Sequence, residues 1–155
     1  MYTANNIADF FLGRYAAEGK ITPMKLIKLV YIAHGWYLGL TGKALIDENP
    51  EAWKYGPVIP SVYHSYKHFK NSPIRCEHDS EVTTGSEIID KFLDRIWKVY
   101  GKYTGTQLSA KTHMPGTPWD ITWNDLKDRN RSSLQILETD IKEHYQQLAS
   151  KNANG

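Results

Sequence analysis

The sequence has a single cysteine, Cys76, so no internal disulfide can form. A disulfide-stapled scaffold is excluded, and a reducing compartment is the natural setting. No apolar run approaches the roughly 20 residues that span a bilayer, and residues 1–10 carry neither the basic start nor the apolar core of a secretory signal. The expectation is a soluble, cytoplasmic protein. Charge of one sign is missing too. Nineteen Lys and Arg stand against 17 Asp and Glu, a formal net charge of +2. Up to Pro60 there are six basic and five acidic residues, and beyond it 13 and 12. With no basic arm and no acidic block, the composition argues against nucleic acid as a partner. Phosphate-cradling glycine motifs are absent as well: residues 101–105 include Lys102 and Thr104 but lack the spacing of a P-loop or a dinucleotide fingerprint. There is no internal repeat and no low-complexity tract.

What remains is 155 residues, 41% hydrophobic and 23% charged, which is one domain's worth of ordinary globular composition. Ten Tyr and five Trp are the enrichment, residues that serve both in cores and as interface anchors. The patterning predicts a first helix from about Asn5 to Ala17, capped by Thr3 or Asn5. A second follows Thr22-Pro23, a cap and first-turn signal, and is apolar nearly all round from Met24 to Leu40. Such a helix must be surrounded by others. Gly39 and Gly42 end it. Ala44-Leu45-Ile46 and Ala52-Trp53-Lys54-Tyr55 read as two brief strands, followed by the stiff stretch Gly56-Pro57-Val58-Ile59-Pro60. Further helices are expected from a Ser61 cap to about Phe69, from Ser86 to Tyr100, from a Thr106 cap to Thr112, and over 137–149. Asn71 to Gly85 reads as a loop, Trp119 to Trp123 as a packed loop, and residues 150–155 as a frayed tail. The predicted fold is mainly α: a compact single helical domain, residues 1–149, around a central buried helix with a small β-hairpin excursion.

Three constellations could carry chemistry. His64 and His68, spaced i, i+4 on a predicted helix, could share a metal with Cys76 and His78, although Cys-x-His is not a standard zinc spacing. Ser109 and His113 are also i, i+4, and Asp120 could orient the imidazole. The Gly-x-Ser-x-Gly elbow of a serine hydrolase is missing, however. Tyr66, Lys67, Phe69 and Lys70 could stack and neutralise a single nucleic-acid strand, and equally form an amphipathic helix with its lysines in water. Asp125 and Asp128 read as a solvated face. The expectation is no catalytic set, no metal and no cofactor.

Three stretches resemble the Panacea domain of SocA-type antitoxins and phage-associated GepA-like proteins. They are Met24-Lys25-Leu26-Ile27-Lys28-Leu29-Val30-Tyr31, then Trp53-Lys54-Tyr55-Gly56-Pro57-Val58-Ile59-Pro60-Ser61-Val62-Tyr63, and Leu108-Ser109-x-x-Thr112-His113 followed by Pro118-Trp119. Ile27 stands where the family often has Gln, and Met114 where an acidic residue commonly follows Thr-His. The resemblance implies an antitoxin that binds and neutralises a toxin encoded beside it. For the SocA branch it implies an adaptor that delivers the toxin to a Clp-type protease. Toxin docking is expected at Tyr55, Pro57, Val58 and Tyr63, because a stiff segment flanked by aromatics loses little entropy on binding. The rivals are a metal-dependent enzyme and a nucleic-acid-binding repressor.

Overall fold

Threonine caps open both of the first helices. Thr3 accepts a hydrogen bond from the Asn6 amide at 3.1 Å while the Asn6 side chain accepts from the Thr3 amide, and α1 runs Ala4–Tyr15. The computed structural model describes residues 1–76, 78–79 and 81–154. A 3-10 turn, Ala16–Glu18, closes α1 at Gly19. Thr22 then caps α2, Pro23–Thr41, with Pro23 in the first turn where its missing N–H leaves nothing unpaired. Gly42, at φ 74°, supplies the left-handed residue that ends α2. An antiparallel hairpin follows, β1 (Glu51–Trp53) with β2 (Gly56–Val58), in the register Glu51 to Val58 and Trp53 to Gly56. The remaining helices are α3 (Pro60–Tyr66, continued by a 3-10 turn over Lys67–Phe69), α4 (Glu87–Tyr100), α5 (Gly105–Thr112), α6 (Pro118–Lys127) and α7 (Glu138–Asn154). Among these residues no helix is long and apolar enough to cross a membrane.

The fold is mainly helical, and α2 is its axis. α2 packs against α1, α3, α4, α5 and α7 and against β2. Leu26, Leu29, Val30 and Ala33 are fully buried, which is what an all-round apolar helix requires. α7 comes closest. Tyr145 lies across Gly35 and Gly39, and a Cβ on Gly39 would sit 2.6 Å from the Tyr145 Cβ and 2.8 Å from its carbonyl carbon. Two glycines one helical turn apart thus let the α7 backbone approach α2. The hairpin is widened by the segment before α7, where the Ala52 amide donates to the Leu134 carbonyl and the Ile136 amide to the Pro50 carbonyl, each at 2.8 Å.

Several expectations shift. The strands are 51–53 and 56–58, so Gly56-Pro57-Val58 forms the second strand, while Ile46 makes an isolated parallel bridge to Tyr2. Gly39 lies inside α2, because the α7 contact needs it there. Ile59 precedes α3 with Pro60 in its first turn, and the Ser61 hydroxyl bonds the Glu48 carboxylate instead of capping. Thr104, not Thr106, caps α5 in a reciprocal bond with Gln107. Trp119 to Trp123 is helical: Thr117 caps α6 and Pro118 occupies its first turn. α7 continues through residues 150–154, and residue 155 lies outside the described residues.

Replacing Gly39 with alanine gains helix propensity but drives a methyl into the α7 main chain. Gly39→Ala is expected to destabilise by about 1–3 kcal/mol, the usual range for overpacking. A lowered midpoint in urea unfolding checks it; a midpoint at or above that of the parent would show that α7 does not press on α2.

Candidate functional site

Two lysines interrupt the apolar surface of α2, and both are buried. Lys25 is 3% exposed and Lys28 2%. Each ends on a main-chain carbonyl. Lys25 Nζ donates to the Gly101 carbonyl at 2.5 Å, over the Trp97 ring, and so closes the C-terminus of α4. Lys28 Nζ donates to the Pro57 carbonyl at 2.7 Å and holds the second hairpin strand against α2. Burial pushes the Lys28 amine down from 10.5 to about 7, because one carbonyl replaces little of the hydration an ammonium loses.

Two more bonds reach the same hairpin. Ser109 Oγ on α5 donates to the Tyr55 carbonyl at 2.5 Å, and Trp119 Nε1 on α6 donates to the Trp53 carbonyl at 2.6 Å. Three different helices therefore take the alternate carbonyls of residues 53, 55 and 57. Backbone carbonyls that a two-stranded hairpin would leave to solvent are satisfied from inside the protein. Gly56, at φ 114°, sits at the centre of this clamp, where a side chain would be strained and its Cβ would lie 3.1 Å from Lys28 Nζ.

His113 completes the arrangement. Its Nδ1 lies 2.5 Å from the Ser109 carbonyl, which can only accept, so Nδ1 carries a proton. The Ser109 hydroxyl proton is directed to Tyr55, and Nδ1 stands 3.5 Å from Ser109 Oγ. Nδ1 is thus not placed as a base for that serine. Asp120 accepts from the Gly116 amide and from the Asn124 side chain within its own helix and turn. Ser109 joins α5 to the hairpin, Asp120 stays within α6 and its turn, and the His113 ring meets Trp119 edge-on at 5.3 Å.

The other candidates separate. His64 lies on α3 and His68 in the 3-10 turn beyond it. Their rings rest on Tyr63 and Phe69. Cys76 and His78 are exposed in the segment before α4. Among the described residues no group of three or more His, Cys, Asp or Glu is placed to hold a metal. Tyr66 donates to Asp9, and both Tyr66 and Phe69 pack on the core, which removes them as a free stacking platform.

Of the residues expected to dock a toxin, Tyr55 is 64% exposed at the hairpin turn, with Lys54 over its ring. Pro57 and Val58 are buried, because the clamp turns β2 toward α2. Tyr63 is half-buried, edge-on to Trp53 at 4.9 Å. The four do not form one surface patch. Sequence reasoning missed Lys25 and Lys28, although two lysines in an otherwise apolar helix were the available signal.

Lys28 predicts a pH dependence. Above 10.5 both folded and unfolded chains hold it neutral and it costs nothing. As pH falls toward 7 the unfolded chain takes up a proton that the folded chain resists, so stability falls through this window, and the penalty is complete below it. Lys28→Met should remove that slope between about pH 7 and about pH 10, while leaving the Pro57 carbonyl unpaired. Denaturant unfolding of both proteins across the range checks it; parallel stability curves would contradict a depressed Lys28.

The clamp residues fall within the part of the chain that matches known proteins. The family model for the Panacea domain of SocA-like antitoxins matches residues 26–120. Antitoxin SocA of Caulobacter vibrioides (strain NA1000 / CB15N) is 30% identical over 157 residues, covering 92% of this chain and 81% of that protein. No solved structure matches the chain. With the Lys-Leu helix, the Gly-Pro-Val strand and the Ser109–His113 joint meeting at one clamp inside the matched region, the chain belongs to the SocA-like antitoxin family of the Panacea domain.

Proposed function

We propose that this protein neutralises a co-encoded protein toxin by binding it directly, without catalysis. Membership of the SocA-like antitoxin family carries this reading. The geometry is consistent with it, because the polar groups at the clamp are spent on main-chain carbonyls and leave no nucleophile paired with a base. A binder needs a fixed core and a few exposed anchors. The hairpin is held from α2, α5 and α6, and it presents Tyr55 at its turn on a backbone that has little freedom left to lose. Tyr55, with the edge of Tyr63, is the toxin-contacting surface in this reading, while Pro57 and Val58 support it from beneath.

A second reading follows from what the resemblance to the SocA branch implies, in which neutralisation runs through delivery of the toxin to a Clp-type protease. The two separate cleanly. Direct inhibition restores the toxin's target reaction in a purified mixture without protease, whereas an adaptor restores growth only in cells that contain the protease.

The product of the adjoining reading frame is the toxin to test, by growth rescue and by titration with purified proteins. Tyr55→Asp should leave the melting temperature unchanged and weaken toxin binding by about tenfold or more, the loss typical of an anchor residue. Unchanged affinity would remove the hairpin turn from the interface. Ser109→Ala should cost about 1 kcal/mol of stability through the lost bond to Tyr55 and keep neutralisation. Loss of neutralisation at unchanged stability would instead point to catalysis.

A further inference from the structure

Helix α4 carries two adjacent apolar rows. Ile89, Leu93 and Ile96 are buried against the core. Beside them Ile88, Phe92 and Val99 make a second row, since steps of four and seven residues stay on one helical face. Ile88 is 80% exposed and Val99 49%, and across from them Leu40 of α2 is 59% exposed. Together with Ala149 of α7 they border a groove of about 590 Å³ between α2, α4 and α7. Scattered exposed aliphatics are ordinary, but a continuous row along a groove marks an interaction surface.

The floor is held in place before any partner arrives. Trp36 Nε1 donates to the Tyr100 hydroxyl at 2.7 Å, the Trp36 ring meets Tyr145 edge-on at 5.3 Å, and Tyr37 meets Phe92 edge-on at 5.7 Å. Docking there orders little that is not already ordered.

Among the described residues the charged side chains that line the groove have one sign: Lys91 and Arg95 line it, and no carboxylate does. Two of the three acids of α4 are committed elsewhere: Asp94 to Arg14 and Tyr15, Asp90 to Thr83 and Thr84. Lys91 pairs with Glu87 at 3.1 Å, but both are exposed, and such a pair gives way at little cost. Among the described residues Arg95 makes no ion pair. The row from Ile88 to Val99 is about 16 Å long, three turns of helix. The walls are helices with no free strand edge, so the fitting element is another helix.

We infer that this groove docks an amphipathic helix of the toxin, apolar on the face that enters and acidic along the edge that meets Lys91 and Arg95. The inference rests on the toxin-binding reading above and adds a second contact, distinct from the hairpin turn.

The probe is the purified product of the adjoining reading frame, titrated against the full chain. Ile88→Asp replaces an exposed side chain near a helix N-terminus, where a carboxylate is tolerated, so folding is preserved. It should weaken binding by about tenfold or more, with Ile88→Leu close to the parent. Arg95→Glu should slow association and flatten its dependence on salt. A photoreactive side chain at position 88 should cross-link to a helical segment rich in Asp and Glu. If the parent binds while Ile88→Asp and Arg95→Glu bind equally well, or the cross-link falls on a segment of another kind, the groove inference fails alone. If the parent does not bind this product at all, the neutralisation reading fails and takes the groove with it.

Discussion

The bond from Lys28 to the Pro57 carbonyl is the constraint around which the rest is arranged. An ammonium taken out of water is costly unless it is paired or gives up its proton, and burial draws this amine down to about 7. The chain keeps it with one carbonyl as partner, at the crossing of α2 with the hairpin. That carbonyl is available only when β2 lies in its observed register against α2, so the cost of burial is offset only in one placement of the hairpin. A side chain at Gly56 beside it would be strained at φ 114°, and its Cβ would crowd the Lys28 Nζ. A polar contact in an apolar helix thereby selects one geometry among several that hydrophobic packing alone would tolerate.

The same logic recurs along α2. Lys25 closes the end of α4, Lys28 holds β2, and Gly35 and Gly39 admit Tyr145 of α7. Arg14 adds a further tie, bonding Asp94 of α4 and the Val82 carbonyl, so the segment leading into α4 is drawn onto α1. With its core settled in this way, the clamp and the helix packing leave Tyr55 at the hairpin turn and Ile88 and Val99 on α4 exposed. Ser109 and His113, which could have carried chemistry, are spent on main-chain carbonyls.

The gap between sequence and structure follows from the same division. α2 is legible because Thr22-Pro23 starts it, its residues are apolar nearly all round, and Gly42 ends it, all local signals. α6 is not, although Thr117-Pro118 repeats the Thr22-Pro23 signal. Trp119 to Trp123 reads as a packed loop, yet Trp119 and Trp123 stack on one another along one face of a helix. Pro57 and Val58 read as docking residues because a stiff extended segment beside aromatics suits an interface, whereas the clamp buries both. Nothing within residues 53–60 announces that Lys28, Ser109 and Trp119 will take the carbonyls of 57, 55 and 53.

Sequence alone determined the class of fold, the central helix, the capped starts of α1, α2 and α4, and the stretches that resemble the Panacea domain. Each of these depends on periodicity or on residues within a turn of one another, and short-range sterics and hydrogen bonding decide them. Tertiary structure decided which side of the hairpin faces inward, that Lys25 and Lys28 are buried, that His113 holds a carbonyl where a base was conceivable, and that Ile88 and Val99 stay in water. Those outcomes depend on contacts between residues as far apart as Lys25 and Gly101, and a buried polar group takes whichever partner packing brings to it.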